Sequence, residues 1–183
     1  MGQTKKLNDL MYAGLFAALT AVLGLVSIPL PFSPVPSSGQ SLAIMLAGSV
    51  LTVRQAGLSL LTFLLVGAIG VPVFAGGTGG LGIVFGPRGG YLLGFMLGAM
   101  AISALKGSGY QVWRLAIANV VGGIGVVYVL GVVWLSVVTG MGLQKAFLAG
   151  ALPFIPGDLF KVFIASVVGA ALNKQLRAVW GRA

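Results

Sequence analysis

Residues 153–161 read PFIPGDLFK, and the rest of this sequence is best understood from that stretch. It holds Asp158, the last carboxylate of the chain, and Lys161 three positions later. Pro156-Gly157 breaks the backbone, so the apolar run that follows to Leu172 predicts a helix that begins at Asp158. Residues three apart share one face of a helix, and ionisable groups at membrane depth usually serve a function because they are costly there.

The composition around this stretch is typical of a membrane protein. Of 183 residues, 58% are hydrophobic and 7% are charged, whereas a soluble domain has about 25% charged residues. The mean hydropathy is +1.07. The length allows roughly six spans of about 20 residues. We therefore predict an all-α polytopic membrane protein made of one domain, residues 1–183.

Hydropathy and the Pro and Gly residues divide the chain into six predicted spans. A Pro-rich loop, residues 29–36, follows the first span, and we expect it to fold over the protein because it carries no charge. A Gly-rich loop, residues 76–90, joins the third and fourth spans, and a short amphipathic piece at Leu143–Leu152 precedes the last. The predicted spans are Leu7–Ile28, Gly39–Val53, Gln55–Gly70, Gly90–Leu105, Leu115–Val138 and Asp158–Asn173.

The Gly-rich loop contains a formal G-x-G-x-x-G pattern at Gly77, Gly79 and Gly82. No strand or βαβ unit precedes it, so a dinucleotide site is not predicted. Two interpretations stay open: a tightly turning loop, or a backbone that a ligand can approach closely because side chains are missing.

The cations predict the orientation. With both termini cytoplasmic, eight of the eleven Lys and Arg residues fall inside, as the positive-inside rule requires. These are Lys5, Lys6, Arg54, Lys106, Arg114, Lys174, Arg177 and Arg182. These cations are scattered singly between apolar stretches and do not cluster on one face, which argues against nucleic-acid binding. The remaining three, Arg88, Lys145 and Lys161, lie outside or within the membrane, and Lys145 is interpreted as an outer-surface charge.

The candidate site combines Asp158 with the two cations at membrane depth. A small molecule with an anionic end, recognised by Lys161 or Arg88, and a neutral end with N–H donors, recognised by Asp158, would suit these groups. The structural alternatives are that Asp158 caps its helix with Lys161 paired to it or snorkelling, and that Arg88 snorkels to the outer headgroups.

Three further polar residues are candidate ligand contacts. Tyr91, Gln40 and Asn119 are each equally compatible with ligand binding and with helix packing. Tyr128 and Trp134 are interpreted as interfacial anchors. Since the chain has no His and no Cys, no acid–base pair or metal-ligand set is available, and neither an enzyme nor a metal or cofactor site is predicted.

The first span carries a stripe of small residues. Ala13, Ala17 and Ala21 recur every four positions, a pattern that lets helices approach closely in lipid. The stripe either packs against the protein's own helices or docks a separate membrane subunit.

Four ordered motifs resemble the BioY family, the biotin-specific S-components of energy-coupling factor (ECF) transporters. The resemblance departs at Arg88, where that family more often has a small hydroxyl residue. The motifs are residues 31–48 (PFSPVP, then GQSL and LAG), residues 76–95 with GPRGGYLLGF, residues 128–135 and residues 153–161.

The resemblance implies six helices, biotin bound near the outer face, and docking of helix one, through the Ala13, Ala17 and Ala21 face, to a transmembrane coupling subunit driven by two ATPase subunits. Asp158, Lys161, Tyr91 and Gln40 match the family pattern. Biotin itself offers a ureido group with two N–H donors at one end and a carboxylate at the other. The competing interpretations are an S-component for another vitamin and a small channel-forming membrane protein.

Overall fold

A computed structural model describes the backbone of residues 2–180 and the side chains of residues 7–176. It is a bundle of helices with one short strand pair. The elements are α1 (Gly2–Leu25), β1 (Ser27–Ile28), β2 (Ser37–Ser38), α2 (Gln40–Val50), α3 (Val53–Ala68), α4 (Leu81–Phe85), α5 (Gly89–Leu105), α6 (Val112–Asn119), a π-helical segment (Val120–Val126), α7 (Val127–Thr139), α8 (Leu143–Gly150) and α9 (Ile155–Trp180).

Within the described residues, three helical stretches are long and apolar enough to cross a membrane: Leu7–Leu25, Val112–Thr139 and Ile155–Leu176. Three shorter apolar helices, α2, α3 and α5, accompany them. The shortest, α2, has 11 residues and rises only about 17 Å, against a hydrocarbon core of about 30 Å. The predicted helical membrane architecture is confirmed at this level, and the count of six spans stays a prediction.

Helix α5 lies at the centre of the bundle, packed against α2, α3, the π-helical segment and α7. Small residues allow this close packing. A Cβ added at Gly122 would lie 2.6 Å from the carbonyl oxygen of Gly98, so the π-helical segment touches α5 backbone to backbone. The position of α5 brings its first turn, which carries Tyr91, toward α7 and α8.

The last helix begins earlier than the sequence predicts. Helix α9 starts at Ile155 rather than at Asp158, and the Asp158 N–H donates to the carbonyl oxygen of Phe154 over 2.9 Å. Pro156 does not break the helix because the first turn needs no intrahelical N–H donor. Asp158 is therefore not the residue that caps α9.

Other boundaries differ from the prediction as well. The first helix ends at Leu25 rather than at Ile28, because Ser27–Ile28 pairs with Ser37–Ser38 as β1 and β2. Arg54 lies inside α3, because Thr52 caps this helix in a reciprocal capping box with Gln55 and thereby starts it at Val53. The Gly-rich loop is not irregular throughout, since α4 forms within it from the apolar residues 81–85.

The start of α1 around Asp9 and the end of α9 around Asn173 lie at the same end of the bundle. There Asp9 in α1 accepts a 2.7 Å hydrogen bond from Gln55 Nε2 at the start of α3. Near the end of α9, Asn173 Nδ2 donates to the carbonyl oxygens of Ser49 and Gly109. The opposite end carries the β1–β2 pair with the Pro-rich loop, the Gly-rich loop, α8 and the start of α9.

Candidate functional site

Asp158 accepts hydrogen bonds from three helices. Its Oδ1 atom accepts from Ser41 Oγ of α2 over 3.0 Å and from Lys161 Nζ of α9 over 2.9 Å. Its Oδ2 atom accepts from the Tyr128 hydroxyl of α7. The Asp158 side chain is 7% exposed, so these donors replace the water that a buried carboxylate has lost. We call Asp158, Lys161, Ser41 and Tyr128 the carboxylate cluster.

Lys161 is fully engaged within this cluster. Its Nζ atom donates to Asp158 Oδ1, to Ser41 Oγ over 2.8 Å and to the carbonyl oxygen of Ser38 over 2.9 Å. A lysine ammonium has three N–H donors, so all three are used. The ion pair with Asp158 also neutralises the charge locally. The predicted pairing of Asp158 with Lys161 is thus present, although Asp158 is not a helix cap.

A cavity of about 50 Å³ borders the carboxylate cluster. Its aromatic walls are Tyr91, Tyr128, Phe95 and Phe154. Residues 35–38, at the end of the Pro-rich loop and directly after it, line one side. The Tyr91 and Tyr128 rings meet edge to face with 6.4 Å between centroids, and the Tyr91 hydroxyl donates to the carbonyl oxygen of Gly150 over 2.9 Å. The cavity therefore combines one charged polar end with rigid apolar walls.

A second cavity, of about 30 Å³, adjoins the first. It is lined by Arg88, Gln40 and Phe74, and it shares five lining residues with the first cavity: Val35, Pro36, Ser38, Tyr91 and Phe95. Both volumes are far below the 300 Å³ or more that is usual for a ligand pocket. The two cavities therefore adjoin through these five shared side chains and form two parts of one small site.

Arg88 and Gln40 occupy the second cavity in different ways. Gln40 is buried, and its Nε2 atom donates to the carbonyl oxygen of Val73 over 3.1 Å. Arg88 is half-buried, and its Nη1 atom makes two long contacts of 3.4 Å, to the carbonyl oxygen of Ala75 and to Thr78 Oγ1. Burial lowers the pKa of the Arg88 guanidinium from its ordinary value.

Asn119 lies outside both cavities. It is fully buried, and its Nδ2 atom donates over 3.1 Å to Ser49 Oγ of α2 and to Ser166 Oγ of α9. We call Asn119, Ser49 and Ser166 the amide cluster. Of the two interpretations that the sequence left open for Asn119, the geometry favours helix packing over ligand contact.

The small-residue stripe of α1 faces the protein's own helices in part. Ala13 and Ala17 are 3% and 8% exposed, and Ala21 is half-buried. Ala17 and Ala21 also line a crevice of about 220 Å³ between α1 and α3. Gly14 and Ala18 stand at the exposed rim of that crevice.

Sequence reasoning missed two members of the carboxylate cluster. Tyr128 was interpreted as an interfacial anchor, but its hydroxyl faces Asp158. Ser41 has no distinguishing pattern of its own, although it lies in the GQSL motif next to Gln40. The carbonyl oxygen of Ser38 could not have been found, because a backbone acceptor leaves no mark on the sequence.

Comparison with known proteins shows which family the chain belongs to. The chain matches the model of the BioY family over residues 1–178. It belongs to the BioY family. This confirms the resemblance and, with it, the interpretation of the chain as a transport protein rather than an enzyme.

This BioY family member is similar to known proteins along nearly its whole length. It is 42% identical over 174 residues to the biotin transporter BioY of Rhizobium etli, which covers 90% of this chain and 92% of that one. It is 39% identical over 175 residues to a probable biotin transporter BioY of Bacillus subtilis, covering 93% of each. A crystal structure of the S-component for biotin from an ECF-type ABC transporter superposes with a TM-score of 0.87 at 32% identity, covering 95% of each chain.

Proposed function

We propose that this BioY family member captures biotin as the S-component of an ECF-type ABC transporter. The relatives that are named biotin transporters support this function, and so does the solved biotin S-component of the same fold. The observation that carries it is the carboxylate cluster. Asp158 has about four acceptor positions, and three of them are occupied.

The remaining acceptor position of Asp158 suits one N–H of a ureido ring. A charge-assisted hydrogen bond from that N–H to a buried carboxylate is stronger than a neutral one. Tyr91, Phe95 and Phe154 provide apolar walls for the fused rings. The acyl chain then extends toward the second cavity, past the side chains that the two cavities share.

Isothermal titration of the purified protein with biotin tests this function. We expect saturable binding of one biotin per chain, and no binding of riboflavin or thiamine at the same concentrations. Saturable binding of another vitamin in place of biotin would replace the proposed ligand, because the rival interpretation is an S-component for that vitamin. Biotin that co-purifies with the protein and appears in native mass spectrometry would be independent support.

For the membrane arrangement, we propose one domain of six spans, formed by α1, α2, α3, α5, the continuous α6 to α7 helix, and α9, with both termini cytoplasmic. Asp9 near the start of α1 and Asn173 near the end of α9 lie at one end of the bundle, which supports this arrangement. Arg54, Lys106, Arg114 and Lys174 lie near the same end. The side chains of Lys5, Lys6, Arg177 and Arg182 lie outside the described residues.

Cysteine labelling tests this orientation, since the chain has no native Cys. Cysteines introduced at Lys6 and Asn173 should resist a membrane-impermeant reagent in intact cells and react after permeabilisation. Labelling of both from outside would reverse the orientation.

For partners, we propose that the crevice between α1 and α3 receives a transmembrane coupling subunit that works with two ATPase subunits. Of the predicted docking residues, Ala17 and Ala21 line this crevice, whereas Ala13 is buried within the bundle. The exposed rim at Gly14 and Ala18 is small enough for another helix to approach closely.

Gly14→Leu separates docking from folding, because a Cβ added at Gly14 meets no atom within 4 Å and the position is exposed. We expect this variant to lose co-purification with a coupling subunit while it keeps wild-type biotin binding. Gly82→Leu on α4 is the matched control, because a Cβ added at the exposed Gly82 also meets nothing within 4 Å. If Gly14→Leu retains the subunit as well as Gly82→Leu does, the partner docks elsewhere.

A further inference from the structure

We propose that Arg88, rather than Lys161, binds the carboxylate of the ligand, so that this chain selects the free acid over its amides. The inference rests on the proposed function, because it concerns the second end of the same ligand. The sequence left both cations as candidates and favoured Lys161, because Arg88 departs from the family pattern. Lys161 and Arg88 differ in how many of their N–H donors are still available to a ligand.

Lys161 has no donor left for a ligand carboxylate. Its three N–H groups are used by Asp158, Ser41 and the carbonyl oxygen of Ser38 at 2.8–2.9 Å. A ligand carboxylate at Lys161 would have to break one of these bonds. It would also stand beside the carboxylate of Asp158, and like charges at that distance repel. Lys161 therefore acts as the counter-charge that holds Asp158 in place for the ureido end.

Arg88, in contrast to Lys161, keeps N–H donors available for a ligand. A guanidinium has five N–H donors, and the only hydrogen bonds it makes with described residues are two long ones from Nη1. No described carboxylate forms an ion pair with it, because the described ion pairs join Arg54 to Asp9 and Lys161 to Asp158. Arg88 is thus a half-buried cation whose remaining donors can take a carboxylate in the two-pronged geometry that guanidinium favours.

The position of Arg88 fits the shape of the ligand. Arg88 lines the second cavity and the carboxylate cluster lines the first, and Tyr91 and Phe95 stand in the wall that both cavities share. If the ureido ring of the ligand lies at Asp158, its acyl chain passes Tyr91 and Phe95. Its carboxylate then reaches the second cavity, beside Arg88. The lowered pKa of Arg88 is consistent with this role, because a partly desolvated cation gains more than an exposed one from an anionic partner.

Arg88 would distinguish free biotin from its amides, which the carboxylate cluster cannot do because both ligands have the same ureido ring. An amide of biotin, such as biotin joined to the ε-amine of lysine, has the same ureido ring but no negative charge at the chain end. Arg88 would be left half-buried without an anion in such a complex. We therefore expect the chain to bind free biotin about ten- to a hundredfold more tightly than biotinamide, the range for one charge-assisted contact.

Isothermal titration of wild type, Arg88→Gln, Arg88→Lys and Lys161→Met with biotin and with biotinamide tests the proposal. Arg88→Gln retains a side-chain donor for Ala75 and Thr78 but lacks the charge, so its affinities for the two ligands should agree within about threefold. Arg88→Lys should keep part of the preference for the acid. Lys161→Met should weaken both ligands by a similar factor and keep the preference. Thermal unfolding of each variant checks that the fold is intact.

The outcomes distinguish this inference from the function on which it rests. Wild-type protein that binds neither ligand would overturn both. Wild-type protein that binds biotin and biotinamide equally would leave the proposed function standing and overturn the role of Arg88. The same holds if Arg88→Gln keeps the full preference for the acid, or if Lys161→Met removes it.

Discussion

The carboxylate cluster and the amide cluster are built from the same three helical stretches. Helix α2 contributes Ser41 to the first and Ser49 to the second, and α9 contributes Asp158 and Ser166. Helix α9 also supplies Lys161 to the carboxylate cluster, and the continuous helix from α6 to α7 supplies Tyr128 to the first cluster and Asn119 to the second. The serines of α2 are eight residues apart, so the clusters are separated by about 12 Å along the helix axis.

The two clusters differ in charge and in access. The amide cluster is neutral and fully buried, and its side chains bond to one another and to the carbonyl oxygen of Val162. The carboxylate cluster holds an ion pair and borders a cavity. The contrast teaches that a buried polar group in a membrane protein points to a ligand only when it keeps an unused acceptor or donor toward open space. Asn119 lines neither cavity, whereas Asp158 lines the first.

The exchange of the two acceptor groups is the strongest test of this contrast. Asn119→Asp places a carboxylate where the surrounding described side chains are neutral, and a charge at membrane depth costs about 2.5–3.5 kcal/mol on insertion scales. We expect a marked fall in thermal stability in lipid nanodiscs. Asn119→Ala is the control, because loss of interhelical hydrogen bonds costs only about 0.6 kcal/mol on average. Equal stability of the two variants would contradict the neutral character of the amide cluster.

The reverse exchange, Asp158→Asn, should act on binding. Asparagine can still accept one hydrogen bond, but it presents an amide donor to the ureido group and leaves Lys161 without its counter-charge. A hydrogen bond to a charged group contributes roughly 1.5–3 kcal/mol, so biotin affinity should fall about ten- to a hundredfold in isothermal titration. Near-wild-type affinity would remove Asp158 from the ligand site.

Tyr128→Phe asks whether the second carboxylate oxygen must be held by a donor. The ring and its edge-to-face packing on Tyr91 remain, while the hydroxyl that donates to Asp158 is lost. Because the hydroxyl holds Asp158 rather than the ligand, we expect biotin binding to weaken less than in Asp158→Asn, roughly fivefold. Thermal stability should also fall, because a hydrogen bond to a buried charged group is lost. If Tyr128 serves only as an interfacial anchor, as the sequence suggested, titration will give the wild-type affinity.

The smallest expected effect comes from the matched serines of α2. Ser41→Ala removes a neutral donor from Asp158 and an acceptor from Lys161, and it should weaken biotin binding about two- to fivefold. Ser49→Ala makes the same chemical change in the amide cluster and should leave the affinity unchanged. Equal losses of affinity in both variants would show that the two clusters are coupled through α2.

Much of the fold could be predicted from the sequence. The mean hydropathy of a segment marks it as a membrane helix however that helix packs against its neighbours. The helices occur where the apolar runs predict them, and α8 is the predicted amphipathic piece. The errors lie at boundaries such as Ile155 and Val53, where a first-turn proline and a capping box act within a single turn. Whether the short helices α2, α3 and α5 cross the membrane stays a prediction, since their lengths fall below a full span.

The site could be predicted only as far as rare residues mark it. Asp158 and Lys161 stand out because carboxylates are scarce in this chain, and the structure does join them in an ion pair over 2.9 Å. Serine and tyrosine are common in membrane helices, so Ser41 and Tyr128 carry no such signal. Asn119 stands out as much as Asp158 does, yet it lies away from both cavities.

By itself, the sequence determined that this chain is a helical membrane protein of the BioY family and that its last helix carries an acid–lysine pair. Only the tertiary structure decided which groups satisfy that pair, since Ser41 reaches Asp158 across 117 positions of the chain. It also decided that Lys161 has no donor to spare while Arg88 does. The physical reason is that hydropathy is a local sum along the chain, whereas a hydrogen-bond partner depends on how each helix is rotated about its axis by the packing of all the others.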